Sequence, residues 1–262
     1  MTPATMIINK HILDTILFPF RFIYKIYFFI FFVLSLVLFY PMFSFFLSKE
    51  KRFPAAFKLM KIYAKLWLSC SGIFLKTKGK ENIIEDQPFI ICSNHSSFID
   101  IPCLYSIFNQ YFIFTGKKEI ENWPLFKVFY TSGMNILVDR HNKMGALKAF
   151  KKMMLVIDNG HPLVILPEGT ISKIAPKLSE FKTGAVSLAI QKQIPILPIT
   201  FTTNWKRLQR KGFFKGNAGP GISEAIIHPM LSTKGLNKND TQSLQNKLHS
   251  VINSPLHEKY GV

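Results

Sequence analysis

The residues best suited to chemistry in this sequence are a histidine and an aspartate with four residues between them, His95 and Asp100. A carboxylate that is hydrogen-bonded to one imidazole nitrogen fixes the tautomer and leaves the other nitrogen as a base. Such a base can take the proton of an acceptor hydroxyl, which can then attack a thioester. The pair therefore predicts acyl transfer in which the acceptor is itself the nucleophile, so that no serine or cysteine need be acylated.

The spacing of this pair places a requirement on the local backbone. Five helical positions rotate the side chain by roughly 140°, so the two residues would not share a face of one continuous helix. They converge if His95 lies in the loop after a strand and Asp100 lies in the first turn of the next helix. Ser97 is a suitable N-cap three residues before Asp100. Taken alone, the segment has a simpler interpretation, in which Ser97 and Asp100 form a capping box and His95 is a polar loop residue.

A second segment with chemical potential is the turn formed by Glu168, Gly169 and Thr170, which follows an apolar run. A turn of this composition offers backbone N–H groups, a flexible glycine and a hydroxyl. These groups suit a phosphate or an oxyanion. The alternative is an ordinary strand-to-helix turn of an α/β protein.

Three basic residues, Lys117, Arg140 and Lys182, each follow a predicted strand or begin a predicted helix. At such positions an anionic group can bind, with arginine acting as a bidentate donor and lysine as a point charge. For each of them alone, a solvated surface cation is the alternative. Together with the turn at residues 168–170, they are the candidate residues for binding an anionic substrate.

The elements that must position these residues alternate along the second part of the chain. Short, almost continuously apolar runs predict strands, and between them the apolar spacing predicts helices. The predicted strands are 89–92, 112–114, 135–138, 163–166, 196–199 and 225–227, and the predicted helices are 98–108, 143–158, 182–192 and 240–253. This order predicts an α/β fold with a mixed, mostly parallel sheet covered by helices on both faces. His95 then lies at the carboxyl end of a strand, where such sheets carry their chemistry.

The first part of the chain has a different character. Residues 26–48 contain no charge, and as a helix they would extend about 35 Å, enough for a hydrocarbon core of about 30 Å. Pro41 lies within this run, so a segment that dips into the membrane and returns is the alternative to a span. Residues 54–75 have the pattern of an amphipathic helix lying at the membrane interface, with a solvated helix face on a soluble domain as the alternative. We therefore predict membrane-anchoring helices in residues 1–78 and an α/β domain in residues 79–262.

Composition favours a membrane surface over a nucleic acid. Lys and Arg number 33 against 15 Asp and Glu, giving a net charge of +18, while 48% of residues are hydrophobic and 26 are Phe. The charge suits an anionic partner, but nucleic-acid binders are rarely so apolar, and no nucleic-acid-binding motif is present. Basic and apolar residues together predict contact with membrane lipids. The basic stretch at 206–221 is predicted to be a surface loop, suited to an acidic carrier protein or to anionic lipid.

The cysteines indicate the compartment. Cys70, Cys92 and Cys103 are odd in number, form no disulfide framework and lack the spacing of metal ligands. They are expected to be structural thiols in a reducing environment. We therefore predict a protein of the cytoplasmic membrane with its catalytic domain on the cytoplasmic side.

In this order, the segments resemble the four sequence blocks of the glycerophospholipid acyltransferase family, and specifically its bacterial 1-acylglycerol-3-phosphate acyltransferase branch. One block alone is weak, whereas four in order at family spacing are very specific. The blocks are residues 94–100, residues 116–120 with 138–140, residues 166–170, and residues 194–199. The resemblance covers about residues 85–202, together with the membrane segment before them.

The resemblance implies a function and roles for the residues. His95 would be the general base and Asp100 its orienting partner, while Lys117 and the turn at 168–170 would bind a phosphate. The donor would be an acyl-carrier-protein or coenzyme A thioester, and no metal or other cofactor would be needed. The acceptor would be a lysophospholipid, with 1-acyl-sn-glycerol 3-phosphate giving phosphatidic acid as the expected reaction.

The chain departs from the family pattern at one position. The third block usually has an arginine after its threonine, and that arginine usually contacts phosphate, but here the position is Ile171. Lys173, Lys182 or Arg140 could take its place. Otherwise the acceptor would be a different lyso-lipid, such as one containing an amino acid.

Two other functions compete with acyl transfer. A non-catalytic membrane-binding module would explain the charge and the apolar N-terminal region, but not the intact His95 and Asp100 pair. A thioesterase or lipid hydrolase would use water in place of an acceptor. The serine-esterase version of that hypothesis is disfavoured because the sequence has no Gly-x-Ser-x-Gly motif.

Overall fold

Strands and helices alternate through the catalytic part of the chain, after two N-terminal helices. The computed structural model describes residues 3–85, 87–139 and 141–262. The helices are α1 (Pro3–Leu47), α2 (Phe53–Cys70), α3 (Asp100–Ile107), α4 (Lys127–Thr131), α5 (Lys143–Asp158), α6 (Gly184–Lys192), α7 (Asn204–Arg207) and α8 (Thr241–Tyr260). The strands are β1 (Ile73–Lys78), β2 (Ile90–Ser93), β3 (Ile113–Lys117), β4 (Ile136–Val138), β5 (Leu163–Val164), β6 (Ile196–Phe201) and β7 (Gly221–Ile227).

The strands form one sheet in the order β1-β7-β6-β2-β5-β3-β4. Neighbouring strands are parallel except for the antiparallel pair β6 and β7. The predicted mixed, mostly parallel sheet is therefore confirmed. All six predicted strands and all four predicted helices are present, and α5 has the predicted bounds because the Asn142 side chain caps its first turn.

One strand was not predicted from the sequence. The helical pattern extended to residue 75, whereas α2 ends at Cys70 and β1 begins at Ile73. Gly72 lies between them with φ of +68°, a conformation that glycine adopts readily and that ends helices. The prediction of a helix through residues 71–75 was wrong because a single glycine ended it.

Helices cover both faces of the sheet. Along β2 and the residue before it, Phe89 and Ile91 face one hydrophobic cluster, and Ile90 and Cys92 face the other. The first cluster includes residues of α1, α2 and α3, and the second includes residues of α5, α6 and α8. Successive side chains of a strand point to opposite faces, so a strand buried on both faces must be apolar throughout. This explains why the strands appear in the sequence as continuous apolar runs.

The parallel strands bring their carboxyl ends to one edge of the sheet. β2, β3, β4, β5 and β6 all run in the same direction. His95 follows β2, Lys117 ends β3, the turn at 168–170 follows β5, and α7 follows β6. Residues far apart in the chain are thus gathered at the edge where a sheet of this type carries its functional site.

The N-terminal apolar segment is part of one continuous helix. α1 passes through Pro19 and Pro41 without a break, so residues 26–48 do not themselves turn back. The chain reverses at residues 48–52, and α2 returns along α1. Tyr24 Oη donates to the carbonyl of Ser71 at 2.8 Å, near the start of the paired region. The stretch Thr15–Leu47 is long and apolar enough to cross a membrane, and most of its side chains point away from the protein.

The apolar face of α2 packs against protein. Trp67 contacts Phe28 and Phe32 of α1, and Phe57 packs on Tyr105 of α3. This burial favours the alternative of a helix face belonging to the folded domain. Ile62 (60%) and Leu66 (47%) of the same helix stay exposed, and the location of α2 at the membrane interface stays a prediction. α1, in contrast, has a long exposed apolar surface, with Leu34 64% and Leu38 74% exposed.

Glu224 joins three elements at the far end of the sheet. It lies on β7, its carboxylate accepts a hydrogen bond from Thr202 at 2.6 Å, and it pairs with Lys259 of α8 and Lys78 of β1. The hydrogen bonds from Lys259 and then Thr202 lower the pKa of this carboxyl to about 2. A carboxyl with a lowered pKa in the folded state stabilises the fold above its unfolded pKa and loses this effect as pH falls.

We expect Glu224→Gln to lower the free energy of unfolding by about 1 kcal/mol at pH 7, a value reduced for solvent screening of the pair. The difference from the parent should shrink as pH falls from 4.5, the ordinary pKa of the group, towards 2. Denaturation of detergent-solubilised protein at several pH values measures this. Glu258→Gln, which removes an exposed carboxylate from the same helix as Lys259, is the control. A difference that is the same at pH 3 and pH 7 would contradict the assignment.

Candidate active site

The His95 and Asp100 side chains meet as the spacing predicted. His95 lies in the loop after β2, Asp100 is the first residue of α3, and His95 Nδ1 is 3.0 Å from Asp100 Oδ2. The imidazole is 12% exposed, while the carboxylate is fully buried. Within the described part of the chain, no residue contacts His95 Nε2 by a hydrogen bond. The geometry therefore leaves Nε2 as the nitrogen that can act as a base.

Asp100 is held by a set of donors that exceeds what a helix cap needs. Its Oδ2 also accepts the backbone N–H groups of Ser96 at 2.8 Å and Ser97 at 2.9 Å. Its Oδ1 accepts the amide of Asn204 at 2.7 Å. A buried carboxylate with four donors is fixed in position. The imidazole is thus oriented by a group that is itself immobile.

The predicted capping role of Ser97 was wrong. The N-cap of α3 is Ile99, without a side-chain hydrogen bond. Ser97 Oγ instead donates to the carbonyl of Leu208 at 2.7 Å, and only accepts a longer bond from Ile99 N at 3.3 Å. Helix α3 starts two residues later than a Ser97 cap would give, because Ser97 is used to join the catalytic loop to a distant segment.

Both carboxylate oxygens of Glu168 are used by the protein backbone. It is 4% exposed, its Oε1 accepts the N–H of His95 at 2.6 Å and its Oε2 accepts the N–H of Ser179 at 2.9 Å. The carbonyl of His95 accepts the N–H of Ser172 at 2.7 Å. Burial raises the pKa of the Glu168 carboxyl, and the N–H groups of His95 and Ser179 offset part of that rise. Glu168 therefore connects the backbone of His95 to the turn after β5.

We expect Glu168→Gln to lower kcat by about tenfold and the free energy of unfolding by about 2 kcal/mol. The amide would turn a donor towards one of two buried N–H groups and leave it unsatisfied. The KM for the acceptor should change little, since this carboxylate holds His95 and does not contact substrate. Steady-state kinetics and thermal melts measure both quantities. Glu180→Gln, an exposed carboxylate in the same segment, should have no effect. A raised KM with unchanged kcat would show that Glu168 binds substrate.

Five of the six predicted binding residues line one open cleft. The cleft has a volume of about 260 Å³ and lies beside the loop that carries His95. Its lining consists of Lys117, Glu119, His141, Glu168, Gly169, Thr170 and Lys182. Gly169 has φ of +73°, which glycine adopts without strain, and its N–H donates to the carbonyl of Leu166 in a tight turn. Two lysines, a hydroxyl and a turn in one cleft are groups that suit an anion, while Glu119 and Glu168 of the same lining are paired with His141 and with backbone N–H groups.

The remaining predicted residue, Arg140, lies outside the described residues. Its neighbour Asp139 accepts a hydrogen bond from Lys118 at 3.0 Å. Lys118 holds the pKa of the Asp139 carboxyl below its ordinary value. Among the side chains that the structure describes, in residues 15–85, 87–139 and 141–262, no three from His, Cys, Asp or Glu lie together in a way that could hold a metal ion.

Two residues of the site were missed by the sequence analysis. Asn204 is fully buried and donates to Asp100, although it lies 104 positions away. Arg210 donates from Nη1 to Thr170 Oγ1 at 2.7 Å and to the carbonyl of Ile171 at 3.0 Å. Both come from the stretch after β6, which the sequence identified only as basic and loop-like. No local pattern indicated that this stretch folds back over the catalytic loops.

Comparison with known proteins places this arrangement among acyltransferases. Residues 74–202 match the family model described as Acyltransferase. This range runs from β1 to the end of β6, so it contains all four blocks and the catalytic edge of the sheet.

Individual relatives agree with this match. A Mycoplasma genitalium protein named probable 1-acyl-sn-glycerol-3-phosphate acyltransferase is 25% identical over 216 residues, covering 78% of this chain and 80% of that protein. A Helicobacter pylori 1-acyl-sn-glycerol-3-phosphate acyltransferase is 33% identical over 145 residues, covering 55% of this chain and 60% of that protein. The crystal structure of the 1-acyl-sn-glycerophosphate acyltransferase PlsC from Thermotoga maritima superposes with a TM-score of 0.74 at 21% identity. The superposition covers 91% of this chain and 95% of the Thermotoga maritima chain, and it shows that the two proteins share a fold.

Proposed function

The chain belongs to the glycerophospholipid acyltransferase family through residues 74–202, and from this premise we propose its reaction. It transfers a fatty acyl group from a thioester to the free hydroxyl of 1-acyl-sn-glycerol 3-phosphate and so forms phosphatidic acid. The observation that carries the proposal is the His95 Nδ1 to Asp100 Oδ2 contact of 3.0 Å, which leaves Nε2 available near a cleft that contains Lys117 and Lys182. A membrane-binding module without catalysis would not need a buried carboxylate that orients a histidine.

The reaction requires only a base and two bound substrates. His95 Nε2 takes the proton of the acceptor hydroxyl as its oxygen bonds to the thioester carbonyl carbon. The buried Asp100 carboxylate stabilises the imidazolium that forms. The tetrahedral adduct then breaks its carbon–sulfur bond, and the imidazolium returns the proton to the thiolate. The products are an ester and a free thiol, and no acyl-enzyme is formed.

The acceptor headgroup is proposed to bind in the cleft between β3 and the turn after β5. Lys117, Thr170 and Lys182 face this cleft, and the backbone of His95 is bonded to the same turn through Ser172. A phosphate is separated from the free hydroxyl of its glycerol by only a few bonds. The headgroup site must therefore lie close to the base, and the cleft satisfies this requirement. The two lysines of its lining favour a phosphate headgroup over a lyso-lipid containing an amino acid, because the Glu168 carboxylate is already bonded to backbone N–H groups and Glu119 to His141.

The class of acyl donor and the location at a membrane are proposed from the charge of the chain and the apolar surface of α1. Acyl-carrier-protein is acidic and coenzyme A carries phosphates, so the +18 charge of the chain suits either thioester. The apolar outer surface of α1 suits the hydrocarbon of a bilayer, from which both the acceptor and the product are drawn. We propose that α1 anchors the protein in the cytoplasmic membrane with the catalytic domain on the cytoplasmic side, where the reduced cysteines are stable.

The test is a transfer assay with purified full-length protein in phospholipid micelles. Acyl-carrier-protein and coenzyme A thioesters are supplied with 1-acyl-sn-glycerol 3-phosphate, with other lyso-lipids, or with no acceptor. Thiol release that depends on the phosphate acceptor, with phosphatidic acid detected by mass spectrometry, is the expected result. Release of free fatty acid without acceptor would identify a hydrolase, and binding to vesicles without turnover for any donor would identify a membrane-binding module.

A further inference from the structure

Arg210 contacts the lining of the cleft from a segment that the four blocks do not include. Its Nη1 donates to Thr170 Oγ1 at 2.7 Å and to the carbonyl of Ile171 at 3.0 Å, and Thr170 lines the cleft. The side chain of Ile171 is itself 7% exposed and apolar, so it offers nothing to an anion. The charge at this end of the turn is therefore supplied from 40 positions away along the chain.

The backbone that carries Arg210 is fixed to the catalytic loop. Gln209 pairs with Ser97 in an isolated antiparallel bridge, and Ser97 Oγ donates to the carbonyl of Leu208. The buried side chain of Gln209 accepts the N–H of Asn217 at 3.1 Å, which closes the loop behind Arg210. Arg210 is thus one residue from a bridge to the segment that contains His95 and Asp100. The position of Arg210 is therefore set by backbone contacts with the catalytic loop, which an arginine on an exposed loop would lack.

The same loop is also tied to the membrane helix. Lys25 of α1 is 2% exposed, and its Nζ donates to four carbonyls at 2.8 to 3.4 Å. These belong to Gly212, Phe213, Lys215 and Gly216. Phe213 and Phe214 pack on Phe22 of α1. The loop at residues 208–218 therefore connects α1 to the cleft, and both ends of that connection are held by direct contacts.

The charge of Arg210 is not neutralised by the protein. Across the described residues, no carboxylate lies within 4 Å of its guanidinium, and its Nη2 and Nε groups donate to no protein atom. The adjacent cleft contains Lys117 and Lys182, and of its two carboxylates Glu119 is paired with His141 and Glu168 with backbone N–H groups. A guanidinium with unused donors beside two lysines matches a phosphate monoester, whose oxygens accept two parallel bonds from one arginine.

We propose that Arg210 binds the phosphate of the acceptor and sets the preference of this site for a phosphorylated lyso-lipid. It takes the place of the arginine that Ile171 does not provide, and the loop at 208–218 presents it to the cleft. This inference rests on the proposed function for the identity of the lipid. The presence of an Arg210-dependent phosphate site can nevertheless be tested without turnover.

The test measures binding of a lipid that cannot react. The probe is a 1-acyl-propanediol phosphate, which lacks the hydroxyl that would be acylated, and the reference is the same lipid without phosphate. The ratio of the two dissociation constants reports the phosphate contact and does not depend on the fraction of folded protein. Arg210→Gln should lower this ratio by about 10-fold or more, as expected for charged hydrogen bonds. Lys211→Gln, which removes the same charge from the next position of the loop, should leave the ratio within about twofold of the parent.

Kinetics give an independent readout of the same contact. Arg210→Gln should raise KM for 1-acyl-sn-glycerol 3-phosphate by a similar factor and change kcat by less than about threefold, because His95 and Asp100 remain in place. Arg210→Lys, which keeps the charge but loses the planar fork, should lie between parent and Arg210→Gln in both experiments. If Arg210→Gln fails to fold, the binding ratio of Arg210→Lys is used in its place. A ratio below that of the parent supports the role of Arg210, and an unchanged ratio overturns it.

The outcomes separate this inference from the proposed function. An unchanged binding ratio in the folded variants overturns the role of Arg210, whatever the activity of the parent. A parent that transfers no acyl group, yet loses phosphate binding on Arg210→Gln, disproves the proposed reaction and supports the phosphate site.

Discussion

Replacing His95 with alanine is expected to lower kcat/KM by about 1,000-fold, the range typical for loss of a general base. The variant lacks the group that takes the proton of the acceptor hydroxyl, so that only binding and proximity remain. The measurement is thiol release from the acyl donor in the presence of 1-acyl-sn-glycerol 3-phosphate. His95 is only partly exposed and its backbone is held by Glu168 and Ser172, so the fold should be retained.

A second substitution at the same position separates chemistry from structure. His95→Asn keeps a side-chain N–H near the position of Nδ1, which can still donate to Asp100, but it has no group at the position of Nε2. It should be as inactive as His95→Ala and closer to the parent in melting temperature. His257→Ala, in the exposed last turn of α8, should be fully active. Full turnover by either His95 variant would show that the proposed mechanism is wrong.

The local part of this site could be predicted from the sequence, for a physical reason. His95 and Asp100 are close in the chain, and their convergence needs only a strand end followed by a helix start. Both of these have local signals, an apolar run ending at Ser93 and a helical pattern from residue 98. Strand positions were predictable for a similar reason, since burial on both faces of the sheet requires a continuous apolar run.

The long-range part could not be predicted in this way. Asn204 and Arg210 act through contacts that depend on how the chain after β6 folds back across the sheet edge. Their residue types carry no signal. In a basic, polar stretch, the sequence does not show which asparagine is buried or which arginine bonds to a distant turn. The sequence also did not show which way the Glu168 side chain points. A glutamate in a turn can face a substrate or accept backbone N–H groups, and only the positions of His95 and Ser179 decide between them.

Asp100 has a partner on each oxygen, and this determines what a neutral substitution would do. Asn204 Nδ2 donates to Oδ1, and Asn204 Oδ1 in turn accepts the hydroxyl of Ser223. All three residues are fully buried. In Asp100→Asn, the remaining oxygen must stay on the side of Ser96 and Ser97, whose N–H groups require an acceptor. The new NH₂ group would then face the NH₂ group of Asn204, donor against donor.

We expect Asp100→Asn to lower kcat by about 1,000-fold, because the imidazolium formed during the reaction loses its balancing charge. It should also lower the free energy of unfolding by about 2 kcal/mol, the range for a buried donor without an acceptor. Kinetics and denaturant melts of the same preparations measure the two effects. They have different physical origins, so they should be separable.

The double variant Asp100→Asn with Asn204→Asp separates them. The carboxylate at position 204 can accept both from the new amide at position 100 and from Ser223, so the buried hydrogen bonds are complete again and the melting temperature should recover. The negative charge, however, now lies on the side chain at position 204, which contacts residue 100 and not His95 Nδ1. The imidazolium therefore has no carboxylate beside it, and kcat should stay low. Recovery of activity together with stability would mean that Asp100 acts only by completing the buried network. Recovery of stability alone would assign to its charge a direct part in acyl transfer.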